Sequence, residues 1–201
     1  MLLSSIILGW IGIFIFIVIV FTFQKMAASN EFAFMHLLMA IMYAMWFPLP
    51  LTLYRLLESD VLLVGAMFGF VYLLSLVISM ALQTGHIVFI TKHNESHAIS
   101  DKYGEYMMAT LSNPMESLSG IFKCIWAIFL GIAFWQSGEL LMAILMFLFG
   151  LFIFYYLLIT LDASIVKRVK LFSKVKPNPY IVNLETLFFF IVLMSYITFG
   201  V

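Results

Sequence analysis

Leu2–Phe23, LLSSIILGWIGIFIFIVIVFTF, runs for 22 residues without a charged side chain. A helix needs about 20 mostly apolar residues to cross the ~30 Å hydrocarbon core of a bilayer. This run satisfies that requirement, and its length exceeds the 7–15 apolar residues of a secretory signal core. No basic residue precedes it; Lys25 follows it instead. The segment therefore reads as a first membrane span.

The same pattern recurs along the chain. Further spans are expected at about 32–54, 61–82, 114–135, 140–161 and 181–201. Pro48 and Pro50 fall in the last third of the second span, where a missing backbone donor and a ring clash predict a kink. Pro114 suits the first turn of the fourth. The fifth span contains no comparable breaker. These continuous runs are not the ~10-residue alternating segments of a membrane β-barrel. The expected fold is all-α: one polytopic transmembrane domain over residues 1–201, with six spanning helices.

Composition agrees. The 201 residues are 65% hydrophobic and 10% charged, far from the about 25% charged residues of a soluble domain. Ten Lys and Arg balance ten Asp and Glu, which leaves no basic excess for a nucleic-acid partner. The single cysteine, Cys124, excludes an internal disulfide framework and a multi-cysteine metal site.

With six spans, both termini share a side with the second–third and fourth–fifth connections. That side carries only Arg55, whereas the other holds Lys25, Lys92, Lys102, Lys123, Lys167, Arg168, Lys170, Lys174 and Lys176. Cation-rich loops mark the cytoplasmic side. The expectation is a multi-pass cell-membrane protein with both termini extracytoplasmic, a long cytoplasmic connection at 83–113 and a basic loop at 162–180.

Within the long connection, His93, His97, Asp101 and Glu105 recur every four residues. On a helix they form one stripe, opposite Ile99, Tyr103, Tyr106 and Ala109, which suits an amphipathic helix lying in the membrane interface. Imidazole and carboxylate groups at this spacing can share a divalent metal ion, and they can equally form a solvated face. No cofactor is required by the sequence.

Polar groups inside spans form the second constellation. His36, Lys123, Asn183 and Glu185 each lie within the first turns of a span that starts on the cation-rich side. Ionisable groups are costly in lipid, and they mark paired clusters or ion and substrate paths. A Glu185–Lys123 pair with His36 nearby would gate a path or relay protons. Met35, Met39, Met42 and Met45 line the second span as packing residues or, with His36, as soft Cu(I) ligands.

Gly65 and Gly69 form a small-residue step on the third span. They allow close helix approach within the chain, with a partner membrane protein or in a homo-oligomer. The pentapeptide at Leu37–Ile41 recurs at Leu140–Ile144, in equivalent spans of a three-plus-three arrangement. The chain has no H-E-x-x-H, no G-x-S-x-G and no phosphate-binding glycine loop. The functional expectation is a small transporter, permeation protein or transport-complex subunit. The alternatives are a non-transporting interaction or immunity-type protein and, third, a membrane enzyme with its metal on the 93–105 helix.

Overall fold

The computed structural model describes residues 1–92, 97–166, 169 and 172–200, excepting the side chains of 97–101 and 173. Six helical stretches are long and apolar enough to cross a membrane. The described residues contain no strand.

The first span is α1, Leu2–Ala28. The second is interrupted: α2 covers Phe32–Met45 and α3 covers Leu49–Leu57, with the break at Trp46–Pro48 where the prolines demand it. Helix α4 spans Val61–Lys92, ten residues beyond the expected end of the third span.

Helix α5, His97–Met107, is not a separate helix ahead of the fourth span. It continues through one π-helical turn, Met108–Ser112, directly into α6, Asn113–Gln136. Pro114 has no amide to give the carbonyl four residues back, and a wider turn just before it absorbs the mismatch without ending the helix. The 83–113 connection is thus largely made of extensions of the two neighbouring helices.

The fifth span is also interrupted, contrary to expectation. Helix α7 is Leu140–Gly150 and α8 is Ile153–Ser164. No proline acts here; Gly150, a weak helix former, precedes the break. The chain then passes a 3₁₀ turn at Phe172–Lys174 and enters α9, Pro179–Phe199. Asn178 caps α9 by accepting from the Tyr180 and Ile181 amides, with Pro179 in the first turn.

Contacts between chain-distant ends fix an up-and-down order. Asn30 and Phe32 share a groove with Ile90 and Glu105, which puts the first–second and third–fourth connections at one end. At the opposite end Ser59 donates to Gln136 at 3.0 Å, and the Trp10 indole donates to Thr198 at 3.0 Å. Successive spans pack side by side, and α9 closes the bundle against α1 and α7.

The stretch containing α6 is central: 61% of its most apolar part is buried, against 28–39% in the other five. Gly65 and Gly69 explain its fit against α4. A Cβ at Gly65 would stand 2.5 Å from Phe129 Cβ, and one at Gly69 would stand 2.8 Å from the Trp126 ring. Both glycines are buried, so the close approach they allow is made inside the chain. Outward faces, including Leu3, Ile7, Phe14 and Phe21 of α1, carry large exposed apolar side chains, as a surface solvated by lipid requires.

Candidate functional site

The sequence brings two opposite charges into the interior, and the fold joins them. Lys123 lies ten residues past the start of α6, about 15 Å along it; Glu185 lies six residues into α9, about 9 Å along. Lys123 is therefore near the middle of its helix, which begins at Asn113, and not within its first turns. Their side chains are 2% and 3% exposed and form an ion pair, Lys123 Nζ to Glu185 Oε2.

Neither charge is left to its partner alone. Lys123 Nζ also donates to Thr186 Oγ1 at 2.8 Å, and the Tyr156 hydroxyl donates to Glu185 Oε2 at 3.0 Å. The ammonium stands 5.3 Å from the Tyr156 ring centre and 5.8 Å from that of Tyr72, within cation–π range. A buried pair survives desolvation only when hydrogen bonds satisfy its remaining valences. Here one carboxylate oxygen, Glu185 Oε1, and the Tyr72 hydroxyl are buried without a hydrogen-bond partner.

Helix α6 carries the site as a stripe. Glu116, Gly120 and Lys123 stand at spacings of four and three on one face, and all three border a cavity of about 30 Å³. Tyr43, Tyr72, Tyr156, Asn183 and Thr186 border it too. Such a volume holds about two water molecules. Gly120 is small because Tyr156 lies over it: a Cβ there would be 2.4 Å from the ring.

A second polar group sits towards the cation-rich end. Gln83 is fully buried and donates through Nε2 to Glu116 Oε1 at 3.2 Å and to Ser79 Oγ at 3.0 Å. Ser112, in the π-turn, donates to the same Glu116 oxygen at 2.6 Å. Beyond lies an open groove of about 670 Å³, lined by Asn30, His36, Ile87, Glu105 and Met108 among others. His36 lines the groove and Met39, one turn along α2, borders the small cavity. In the other direction the bundle is closed by aromatic rings. Trp46 stacks on Phe190 with centres 3.6 Å apart, Trp126 meets Phe189 edge-on at 5.3 Å, and Trp46 Nε1 donates to Gly9 O at 3.1 Å.

Of the expected polar layer, Lys123 and Asn183 border the small cavity, and Glu185 joins them through its ion pair with Lys123. His36 does not; its Nδ1 is 2.7 Å from the Phe32 carbonyl and it belongs to the groove. The expected metal stripe begins at His93, which lies outside the described residues. His97, Asp101 and Glu105 occupy successive turns of α5, and Glu105 is exposed on the groove. Among the described residues no three His, Cys, Asp or Glu side chains gather as metal ligands. The cation count also changes, since Lys123 belongs to the interior and eight cations remain for the rich end.

Sequence reasoning missed Tyr156, Thr186, Tyr72, Gln83 and Glu116. Tyrosine and threonine are unremarkable in apolar helices, Gln83 opens the expected polar connection at 83–113, and Glu116 falls in the first turn of the expected fourth span, where a charge reads as facing the interface. The usable signal was the i, i+4, i+7 spacing of Glu116, Gly120 and Lys123. Comparison with protein-family models, with curated proteins and with solved structures returns no match for this chain.

Proposed function

We propose that this chain is a small permeation or transport protein, acting alone or as the membrane subunit of a transport complex, with the Lys123–Glu185 pair as its proton-relaying site. The observation that carries this reading is a buried ion pair, hydrogen-bonded to Tyr156 and Thr186, beside a small cavity one helical turn from an open groove. Intramembrane ionisable residues that face a bundle interior mark ion paths and proton relays. Glu185 Oε1 has no hydrogen-bond partner, while Oε2 holds Lys123 and Tyr156. Protonation would loosen the pair, and the cation of Lys123 would then favour an arrangement open to water. The aromatic layer around Trp46 and Phe190 would be the closed gate of the present arrangement.

Purified protein in liposomes carrying a trapped pH dye tests this, with valinomycin and potassium to compensate charge. The wild-type chain should collapse an imposed pH gradient at least tenfold faster than empty vesicles, and Glu185→Gln should abolish that excess. A wild-type rate equal to that of empty vesicles would overturn the reading. The second reading, a partner-binding membrane protein, draws on the mainly apolar groove; absence of flux with stable co-purification of one membrane partner would favour it.

A further inference from the structure

We infer that Gln83, Ser112 and Glu116 form a binding site for a small monovalent cation, sodium, between the groove and the Lys123–Glu185 pair. Three observations meet there. Glu116 is a carboxylate without a protein counter-ion, because Lys123–Glu185 is the only ion pair among the described residues. Gln83 is fully buried, and its amide oxygen Oε1 has no hydrogen-bond partner. The amide group itself is held in place, since its nitrogen donates to Glu116 and Ser79. The unpartnered oxygen is bonded to the same carbon as that nitrogen, so it lies within the same polar cluster.

A buried amide oxygen without a donor costs free energy unless something supplies positive charge or a proton. Ser112 gives its hydrogen to Glu116 and keeps its lone pairs. The available donors are therefore all oxygens: one anionic carboxylate, one amide and one hydroxyl. Hard cations choose oxygen, and a single negative charge matches a monovalent ion better than a divalent one. The hydroxyl comes from the π-turn, an irregularity that often accompanies binding sites within helices. Ser79 is a positioning residue, fixing which way the amide points.

The site's use as the entry point for a coupling ion rests on the transport reading; the binding itself does not. The titratable groups around Glu116 are Lys123, Tyr43, Tyr72 and Tyr156 on the shared cavity, Glu185 behind Lys123, and His86 one turn from Gln83 on α4.

The test is thermal unfolding of the purified full chain in detergent at pH 8, with sodium chloride replacing choline chloride at constant ionic strength. Saturating sodium should raise the midpoint by about 3 °C, as a ligand specific to the folded state does. Glu116→Gln should remove the shift, and Gln83→Leu should move its half-point about tenfold higher in sodium. Glu185→Gln should keep the sodium shift even where it abolishes flux, which separates failure of this site from failure of the relay. No response to sodium, or a response in Glu116→Gln equal to that of the wild type, would overturn the proposal.

Discussion

At the residue scale, the interior is organised around one charge pair whose worth depends on both members. Removing a single partner from a buried pair typically costs about 3–5 kcal/mol, because the remaining charge stays buried without compensation. Glu185→Gln should therefore lower thermal stability sharply, leaving Lys123 with only Thr186, Tyr156 and two aromatic faces. The double variant Lys123→Met with Glu185→Gln should recover most of that loss, and thermal melts of the four proteins give the coupling. If the double variant were as unstable as the sum of the singles, the pair would not be a unit. Gly120→Ala should cost about 1–3 kcal/mol by overpacking against the Tyr156 ring. It should also weaken the hold on Glu185, because the same tyrosine supplies a hydrogen bond to Oε2. Lys123 and Glu185 were legible beforehand because a charge within an apolar run is a visible anomaly. Tyr156 was not: nine tyrosines occur in the chain, and only packing decides which hydroxyl points inward.

At the element scale, prolines and glycines mark where helices depart from regularity, with different effects. Pro48 and Pro50 interrupt the second span in the place their chemistry predicts. Pro114 read as a helix start yet sits inside a continuous helix, because a π-turn accommodates it. Helix ends in the 83–113 connection were illegible for a related reason. Among its described residues Lys102 and Glu105 are exposed while Gln83 and Ser112 are buried, and nothing in polarity alone distinguishes a loop from a helix extended past the membrane. The break after Gly150 had only a weak local signal, and burial against Ile128 accompanies it. Gly65 and Gly69 had several readings in sequence, and the fold uses them between α4 and α6. Gly69→Ile should force the Trp126 ring away and lower the melting temperature by several degrees. The loss should be independent of protein concentration, as an intramolecular contact requires; dependence on concentration would place a second chain at that step.

At the scale of the whole molecule, the bundle is polarised along its axis. A groove with His36 and Glu105 opens at the cation-rich end, the Gln83–Glu116 group follows, then the Lys123–Glu185 pair, and finally a packed aromatic layer. Six apolar helices were readable directly from the length and spacing of uncharged runs. The internal layering was not, since it depends on which faces of α2, α4, α6, α8 and α9 converge. Transport requires that this layering open, and one measurement asks whether it does. Met80 borders the small cavity and is 2% exposed, and Cys124 is the only native cysteine, so Met80→Cys in a Cys124→Ala background carries a single reporter. A membrane-impermeant thiol reagent is far larger than the roughly 30 Å³ cavity and can reach the reporter only if the bundle opens. Labelling from the side bearing the basic 162–180 loop, slowed by Glu185→Gln, is the predicted result. No labelling from that side, under conditions in which an exposed cysteine at Glu105 reacts fully, would contradict the account.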